Sequence, residues 1–203
     1  RSTLFPYTTL FRSVKFQNGV NAITIRENDQ VIQVRLTDGN SEIVIANRQG
    51  RAIRFHESKV REMGRTATGV NAMAIDKANG DEVVGMVAVA DKTETVLVVS
   101  EKGYGKRSQL DELDENGNIK LDENGEPIAI YRVTNRGGKG VKTMNITEKT
   151  GKLVSIKLVD DSNDIMIINK SGMAIRMHVS DIRVMGRATQ GVRLINLERR
   201  NET

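Results

Sequence analysis

The chain has 203 residues, a formal charge of +5, no cysteine and only seven aromatic side chains. The lack of cysteine excludes a disulfide framework and a cysteine-ligated metal. No apolar run approaches the roughly 20 residues that a membrane-spanning helix needs. These properties predict a cytoplasmic protein that does not cross a membrane.

The first thirteen residues, RSTLFPYTTLFRS, resemble nothing that follows them. They lack the apolar core and the cleavage site of a signal peptide. Thr3 through Ser13 is the translation of a DNA string that resembles a common sequencing adapter. We therefore expect residues 1–13 to be artefactual and the folded domain to comprise residues 14–203. Without Arg1 and Arg12 the formal charge falls from +5 to +3.

From residue 14 onward the sequence repeats with a period near 50 residues. Four similar strings, called GV strings here, are GVNAITI, GVNAMAI, GVKTMNI and GVRLINL, beginning at Gly19, Gly69, Gly140 and Gly191. Residues 31–76 align without a gap on residues 153–198, with 17 of the 46 positions identical. One structural unit therefore recurs along the chain.

Each unit is predicted to consist of β-strands. Apolar runs followed by a polar turn and a glycine, typical of hairpins, end at Gly50, Gly103 and Gly172. Alternation in the GV strings predicts core positions at Ile23, Ile25, Met73, Ile75, Met144, Ile146, Ile195 and Leu197. The pattern predicts an all-β fold, a propeller-like array of three to four blades with about four strands each.

Both ends of the array read as truncated. Residues after Leu197 match 76–81, but the strand EVVGMVAV at 82–89 has no later counterpart. A sheet that lacks a strand exposes an edge, so we expect this chain to be prone to aggregation.

The charge is unevenly distributed. Segment 111–130 carries seven acids against one lysine, which leaves about +9 on the rest of residues 14–203. The tetrapeptide DENG occurs twice in it, at 114–117 and 122–125, without the ligand spacing of a calcium-binding EF-hand. We interpret 111–130 as an inserted acidic hairpin.

Cations recur in step with the repeat. Four residues before each GV glycine stand Lys15, Arg65, Arg136 and Arg187, and four residues after each hairpin glycine stand Arg54, Arg107 and Arg176. Strand alternation predicts that Arg54 and Arg176 point outward. Together with Lys106 and Lys139 these residues predict a basic rim suited to a long polyanion.

Three glycine-arginine loops surround the first set of cations: GRTATG (64–69), NRGGKG (135–140) and GRATQG (186–191). Glycine permits close approach of a ligand, and the guanidinium fork matches phosphate. The six residues of the middle loop are Asn135, Arg136, Gly137, Gly138, Lys139 and Gly140. It lacks the GxxxxGK[ST] pattern of a nucleotide-binding loop. The alternatives without a binding function are that the glycines serve only the turns and that the arginines are only solvated surface residues.

These motifs resemble the C-terminal domain of DNA gyrase A over residues 14–203. TNRGGKG at 134–140 is similar to the signature box of that family, QRRGGKG, in five of seven positions. REMGRTATGV and RVMGRATQGV resemble its degenerate forms. The resemblance implies a β-pinwheel that wraps double-stranded DNA on its basic rim and so supports ATP-dependent negative supercoiling by a bacterial type II topoisomerase.

The resemblance also implies what the fragment lacks. The catalytic tyrosine region lies elsewhere in such enzymes, so we expect no catalysis, metal or cofactor here, with ATP and Mg bound in other regions or subunits. Implied partners are gyrase B and a second copy of gyrase A, in a heterotetramer in the bacterial cytoplasm and nucleoid. The corresponding A-type subunit of topoisomerase IV is the nearest alternative.

A propeller-type scaffold for protein binding is a further alternative from another class. Such a surface depends on aromatic anchors. After residue 13 the sequence has only four aromatic residues, Phe16, Phe55, Tyr104 and Tyr131. The composition therefore disfavours this alternative.

Overall fold

The computed structural model describes residues 21–197, and its regular structure is almost entirely strand. The strands are β1 (Glu42–Asn47), β2 (Arg51–His56), β3 (Val83–Val89), β4 (Thr95–Ser100), β5 (Tyr104–Gln109), β6 (Val141–Lys142), β7 (Leu153–Val159), β8 (Asp164–Ile168), β9 (Ala174–His178) and β10 (Val192–Arg193). Three short 3-10 helices occupy Glu57–Lys59, Lys77–Asn79 and Val179–Asp181. Within the described segment, no helix has the length and apolarity to cross a membrane. The predicted all-β class is confirmed.

The strands form two four-stranded sheets and one hairpin. Blade 1 has the strand order β3-β1-β2-β6, blade 2 has the order β10-β5-β4-β7, and β8 pairs with β9. Each of the three predicted hairpins is present, and its turn glycine has a positive φ: 77° at Gly50, 77° at Gly103 and 82° at Gly172. Glycine adopts this backbone region without steric cost. The turn residues alone were therefore enough to predict where the hairpins turn.

Each blade is assembled by strand exchange between units. The central hairpin of blade 1 takes β3 from the next unit and β6 from the unit after that, with Ala52 paired to Val141. Blade 2 repeats the scheme, taking β7 and β10 from the two following units. A hairpin therefore completes its blade only when two later units of the chain are in place.

The core lies between the blades, and both faces of each central hairpin are covered. One cluster, with Val44 and Ala46 of blade 1 and Val96 and Val98 of blade 2, lies between the two blades. The opposite faces carry two further clusters, which include Ile43, Ile45, Ile53, Phe55 and Met73 on blade 1, and Leu97, Val159, Val179 and Ile182 on blade 2. Each buried aliphatic side chain stabilises the fold by about 1.5–3 kcal/mol. Because both faces of blade 1 are covered, all six residues of β1 are buried.

The core assignments in the GV strings are only partly correct. Met73, Met144 and Ile195 are buried, as alternation predicted. Ile23 and Ile25 are exposed, so their assignment to the core was wrong. The later strings are covered where they contact a hairpin of an earlier unit, and the described residues contain no hairpin before the first string.

The acidic segment 111–130 contains two successive tight turns joined by isolated β-bridges. Isolated bridges join Leu113 to Ile119 and Leu121 to Pro127. In the first DENG turn, the Asp114 carboxylate accepts the backbone amides of Asn116 and Asn118, each at 2.8 Å, and Asp122 acts in the same way in the second. Aspartate at these positions therefore closes tight turns.

Gly140 marks the point where an exchanged segment crosses the blade that receives it. It has a φ of 66°, and a Cβ there would lie 2.2 Å from the carbonyl oxygen of Ala52. Gly191 repeats this geometry, at 2.5 Å from the Gly105 carbonyl oxygen. Gly137 also has a positive φ, of 88°, but has open space around it.

We expect Gly140→Ala to destabilise the domain much more than Gly137→Ala, as measured by urea unfolding. Both variants carry the backbone strain of a left-handed alanine, about 1–2 kcal/mol. Gly140→Ala adds a forced displacement of backbone, which costs about 1–3 kcal/mol more. Equal losses in the two variants would show that the close approach is unimportant.

Candidate nucleic-acid interface

The three glycine-arginine loops are docked by one repeated contact. In each, the carbonyl oxygen of the fourth loop residue accepts a hydrogen bond from the amide of the sixth residue in the preceding GV string. The pairs are Thr24 to Ala67 at 3.1 Å, Ala74 to Gly138 at 2.9 Å and Asn145 to Thr189 at 3.0 Å. Each loop therefore rests on the segment that leads out of the loop before it, and the three form one series.

The loop arginines clamp the same segments. Arg136 donates through Nη1 to the carbonyl of Asn71 at 3.1 Å, and Arg187 donates through Nη1 to the carbonyl of Lys142 at 2.9 Å. Asn71 and Lys142 are both the third residue of a GV string. Arg136 remains exposed and Arg187 half-buried, while Arg65 is exposed in the first loop. The two clamped guanidinium groups are thus held in place, so less rotamer entropy would be lost if they bound a ligand.

The middle loop, 135–140, borders a groove of about 320 Å³ lined in part by Arg51, Arg132 and Lys139. The Arg51 guanidinium donates to the carbonyls of Lys139 and Gly140, at 2.9 and 2.8 Å. The side chains of Arg132 and Lys139 are exposed at its edge. Three cations around a concave surface with glycine backbone can receive a phosphate group.

Sequence reasoning missed a second recurring cation. Arg61, Arg132 and Arg183 each stand four residues before a loop arginine, and all three are exposed. The alignment that revealed Arg65, Arg136 and Arg187 contains this signal. Together the two sets give each described loop a pair of cations.

Arg54 does not belong to this surface, and the prediction that it points outward was wrong. Only 2% of the residue is exposed. Its guanidinium contacts the carboxylates of Glu42 and Asp111, with Nη1 and Nη2 lying 2.6 and 2.9 Å from the Asp111 oxygens. It also donates to the carbonyl of Tyr131 at 2.9 Å. The rule that alternate residues of a strand face the solvent does not hold here, because both faces of blade 1 are covered.

The charge balance of this cluster supports a structural role for Arg54. Burial by itself lowers the pKa of Arg54, but hydrogen bonds and charge from Asp111 and Glu42 outweigh that effect and raise it. Asp111 is the first residue of the acidic insertion. Arg54 therefore anchors the insertion to blade 1.

Arg107 and Lys106, on β5, are also buried, which corrects their assignment to the basic rim. Arg107 donates to the carbonyl of Ile182 and forms an ion pair with Asp161. Lys106 donates through Nζ to the carbonyl of Gly186 at 2.6 Å and to Ser108 Oγ at 3.1 Å. Burial, with a smaller contribution from the charge of Arg187, lowers the pKa of Lys106 to about 7.

Arg176 is exposed, as predicted, but its charge is already paired. Its Nε lies 2.8 Å from the carboxylate of Asp164, which also contacts Nδ1 of His178. The hydrogen bond from Arg176 holds the pKa of Asp164 below its usual range, with a smaller contribution from His178. The remaining predicted cation, Lys15, lies outside residues 21–197.

The two histidines have local hydrogen-bond partners. His56 Nδ1 lies 2.8 Å from Ser58 Oγ, and His178 contacts Asp164. Across residues 21–197, no three His, Cys, Asp or Glu side chains come together as a set of cation ligands.

The sequence matches one protein family along nearly its whole length. A family model described as DNA gyrase C-terminal domain, beta-propeller, matches residues 11–38, 41–90, 94–126, 131–160 and 163–203. DNA gyrase A of Staphylococcus aureus strain MRSA252 is 46% identical over 182 residues, as is that of strain NCTC 8325. The match covers 89% of this chain but 18% of each relative.

Solved structures share the fold. The C-terminal domain of DNA topoisomerase IV aligns with a TM-score of 0.72 at 24% identity, covering 86% of this chain and 48% of that one. The DNA gyrase A C-terminal domain aligns with a TM-score of 0.72 at 23% identity, covering 95% and 57%. The propeller-like architecture predicted from the repeat is confirmed.

We expect Arg54→Met to lower the free energy of unfolding by about 3–5 kcal/mol, because it leaves the buried Asp111 carboxylate without its partner. Arg176→Met is the matched control, at the equivalent position of an exposed hairpin, and should have a much smaller effect. Chemical unfolding of both variants provides the measurement. A small loss for Arg54→Met would argue against the anchoring role.

Lys106 should make stability depend on alkaline pH. Because its folded pKa, about 7, lies below its unfolded value of 10.5, the unfolded state binds more protons between these values. The free energy of unfolding therefore rises from pH 7 towards pH 10, by up to about 1.4 kcal/mol per pH unit from this group. Urea unfolding across this range should show a steeper rise in the parent chain than in Lys106→Met. If the free energy of unfolding rose equally with pH in both chains, the lowered pKa of Lys106 would be contradicted.

Proposed function

This chain belongs to the DNA gyrase C-terminal domain family, and from that premise we propose that its glycine-arginine loops bind the phosphate backbone of double-stranded DNA. The observation that carries the proposal is the serial docking of three equivalent loops, each with a loop arginine at the same position. Repetition of one cationic element along one series suits a ligand with repeated negative charge.

The spacing of the loops favours a long ligand. From Gly138, in the middle loop, to Asn145, which contacts the third loop, the chain advances seven residues. An extended chain of that length spans at most about 25 Å. Duplex DNA carries a charge every 1.7 Å or so along its axis, so a single duplex can contact neighbouring loops at once. Contacts of this kind position the backbone and carry no base code.

The two tyrosines of the described segment are buried residues of the fold. Tyr131 is fully buried, and its hydroxyl lies 2.6 Å from Thr143 Oγ1. Tyr104 is also buried, and its hydroxyl accepts a hydrogen bond from Arg193 at 3.2 Å. Both hydroxyls are engaged in hydrogen bonds within the domain. We therefore assign both residues to packing.

We propose that, within an intact gyrase A protein, this domain bends bound DNA and thereby supports ATP-dependent negative supercoiling. The chain spans 18% of the length of its curated relatives, so catalysis, ATP and Mg are assigned to other regions or subunits. The proposed assembly contains gyrase B and a second copy of gyrase A, in the bacterial cytoplasm at the nucleoid.

The A-type subunit of topoisomerase IV remains the second candidate, because the topoisomerase IV C-terminal domain matches this fold with the same TM-score of 0.72. The 46% identity to gyrase A favours gyrase. The protein-scaffold alternative is disfavoured. Phe55, Tyr104 and Tyr131 are buried and offer no aromatic anchor, while Phe16 lies outside the described segment.

Salt dependence tests the phosphate contacts. Log K for duplex DNA should fall with log salt by about 0.9 for each phosphate neutralised. Replacement of Arg65, Arg136 and Arg187 by alanine should therefore flatten the slope by roughly two to three. The measurement is a fluorescence anisotropy titration at several salt concentrations.

A charge-matched control replaces Lys77, Lys157 and Lys170, which are exposed but lie outside the three loops. Its slope should equal that of the parent chain. Because Arg136 and Arg187 also clamp backbone carbonyls, unfolding curves must show that the loop variant is folded at the assay temperature. An unchanged slope in the folded loop variant would falsify the assignment.

A further inference from the structure

The third glycine-arginine loop contacts a polar pair of side chains at positions that are apolar in blade 1. Lys106 and Ser108, on β5, stand three and five residues after their hairpin glycine and contact the start of this loop. The equivalent residues of β2 are Ile53 and Phe55. Ile53 Cδ1 lies 3.7 Å from the position that a Cβ on Gly138 of the middle loop would take. The middle loop thus lies on an aliphatic side chain, and the third loop on an amine and a hydroxyl.

This polar pair holds the start of the third loop by its carbonyl oxygens. Lys106 Nζ donates to the carbonyl of Gly186 at 2.6 Å, and Ser108 Oγ donates to the carbonyl of Met185, the residue before the loop, at 2.8 Å. Lys106 Nζ also donates to Ser108 Oγ at 3.1 Å, so the two side chains are joined. Arg187 is the next residue of the loop. The pair therefore fixes the backbone from which the loop arginine extends.

The amine of Lys106 is buried without a counter-ion. The residue has no exposed surface, and within residues 21–197 its acceptors are a carbonyl and a hydroxyl, with no carboxylate among them. The charged group that acts on it is the guanidinium of Arg187. Burial and a neighbouring cation both disfavour the charged form of an amine. A change in the charge near Arg187 can therefore decide whether Lys106 holds a proton.

The neighbouring elements do not present another group that titrates near neutral pH. On β4 the sheet partner of Lys106 is Val98. Tyr131, at the end of the acidic insertion, is fully buried, and burial raises the pKa of its hydroxyl. Blade 1 contributes Arg54, which donates to the carbonyl of Tyr131 and is paired with Asp111. The proton on Lys106 is therefore the one in this region that responds to pH near 7.

The pKa of Lys106 agrees with this geometry. Burial, with a smaller contribution from Arg187, lowers it to about 7. At neutral pH the amine is therefore protonated in about half of the molecules. A phosphate on Arg187 would place a negative charge near the amine and favour its charged form. The pKa in such a complex lies above that in the free chain, so the complex holds more of the proton.

Resting on the DNA binding proposed above, we propose that Lys106 is a positioning residue of the third loop and takes up a proton when that loop binds a phosphate of duplex DNA. The proton comes from the solvent, binds the lone pair of Nζ and returns to the solvent when the DNA dissociates. Because the coupling of two ligands is reciprocal, a higher proton concentration must also strengthen DNA binding. The affinity for DNA therefore falls as the pH rises above neutral.

Lys106→Met tests this coupling because it removes the proton site and retains a side chain of similar length. In the parent chain, the affinity for a fluorescent duplex should fall on the order of tenfold from pH 6.5 to pH 9, as expected if phosphate raises the pKa of Lys106 by one unit. In Lys106→Met the affinity should stay constant across this range and match that of the parent at pH 9. The measurement is fluorescence anisotropy at constant salt concentration.

Lys157→Met is the matched control. Lys157 is an exposed lysine of β7 in the same blade, outside the three loops. Its replacement should leave the full pH dependence of the parent chain.

Titration calorimetry of the parent chain gives a second measurement that needs no variant. The heat of binding near pH 7.5, compared between buffers of different ionisation enthalpy, should show uptake of on the order of half a proton per domain. The uptake should disappear in Lys106→Met. No uptake by the parent chain would overturn the proposal even if the variant failed to fold.

The pH profiles separate this role from a purely structural one. If Lys106 only supported the fold of the loop, Lys106→Met would weaken binding by the same factor at every pH, and that result would overturn the proposal. Parallel profiles in chains that still show the salt dependence of the loop arginines would leave the proposed function intact and remove only the role of Lys106. A parent chain that binds no duplex at any pH would overturn both.

Discussion

Strand exchange is the constraint on which the rest of this structure depends. The central hairpins of blades 1 and 2 obtain their outer strands from the two units that follow them, so the pairing that completes each of these blades is non-local. Because blades 1 and 2 pack face to face, and each carries a further cluster on its opposite face, their central hairpins are covered on both sides. The hydrophobic residues of these two hairpins are buried under strands that other units supply.

The same exchange positions the glycine-arginine loops. Each glycine-arginine loop packs on the GV string that precedes it. Arg136 and Arg187 donate hydrogen bonds to backbone carbonyl oxygens of these strings. Glycine is required at the crossing because a carbonyl oxygen occupies the space of a Cβ at Gly140 and Gly191. The residues that suggest a phosphate site are therefore also those that join the units.

Net charge describes this surface poorly. Arg54, Lys106 and Arg107 contribute to the basic composition but lie in the interior, where carboxylates or carbonyls satisfy them. A buried charge must be paired or neutralised, and both solutions occur here: Arg54 is paired with Asp111, and Lys106 has a pKa of about 7. The cations that we propose for ligand binding are those on the loops and the arginines four residues before the loop arginines.

The sequence by itself determined the repeat, the three hairpins with their turn glycines and the position of the loops, since these features depend on local periodicity and backbone conformation. It also contained Arg61, Arg132 and Arg183, which the same alignment could have revealed. It could not determine the environments of Arg54, Arg107 and Arg176. These residues are equivalent in the repeat, yet Arg54 is buried against Asp111, Arg107 is buried beside Asp161, and Arg176 is exposed with Asp164. Only the tertiary structure decided these three environments, because the residues that surround each hairpin come from other parts of the chain.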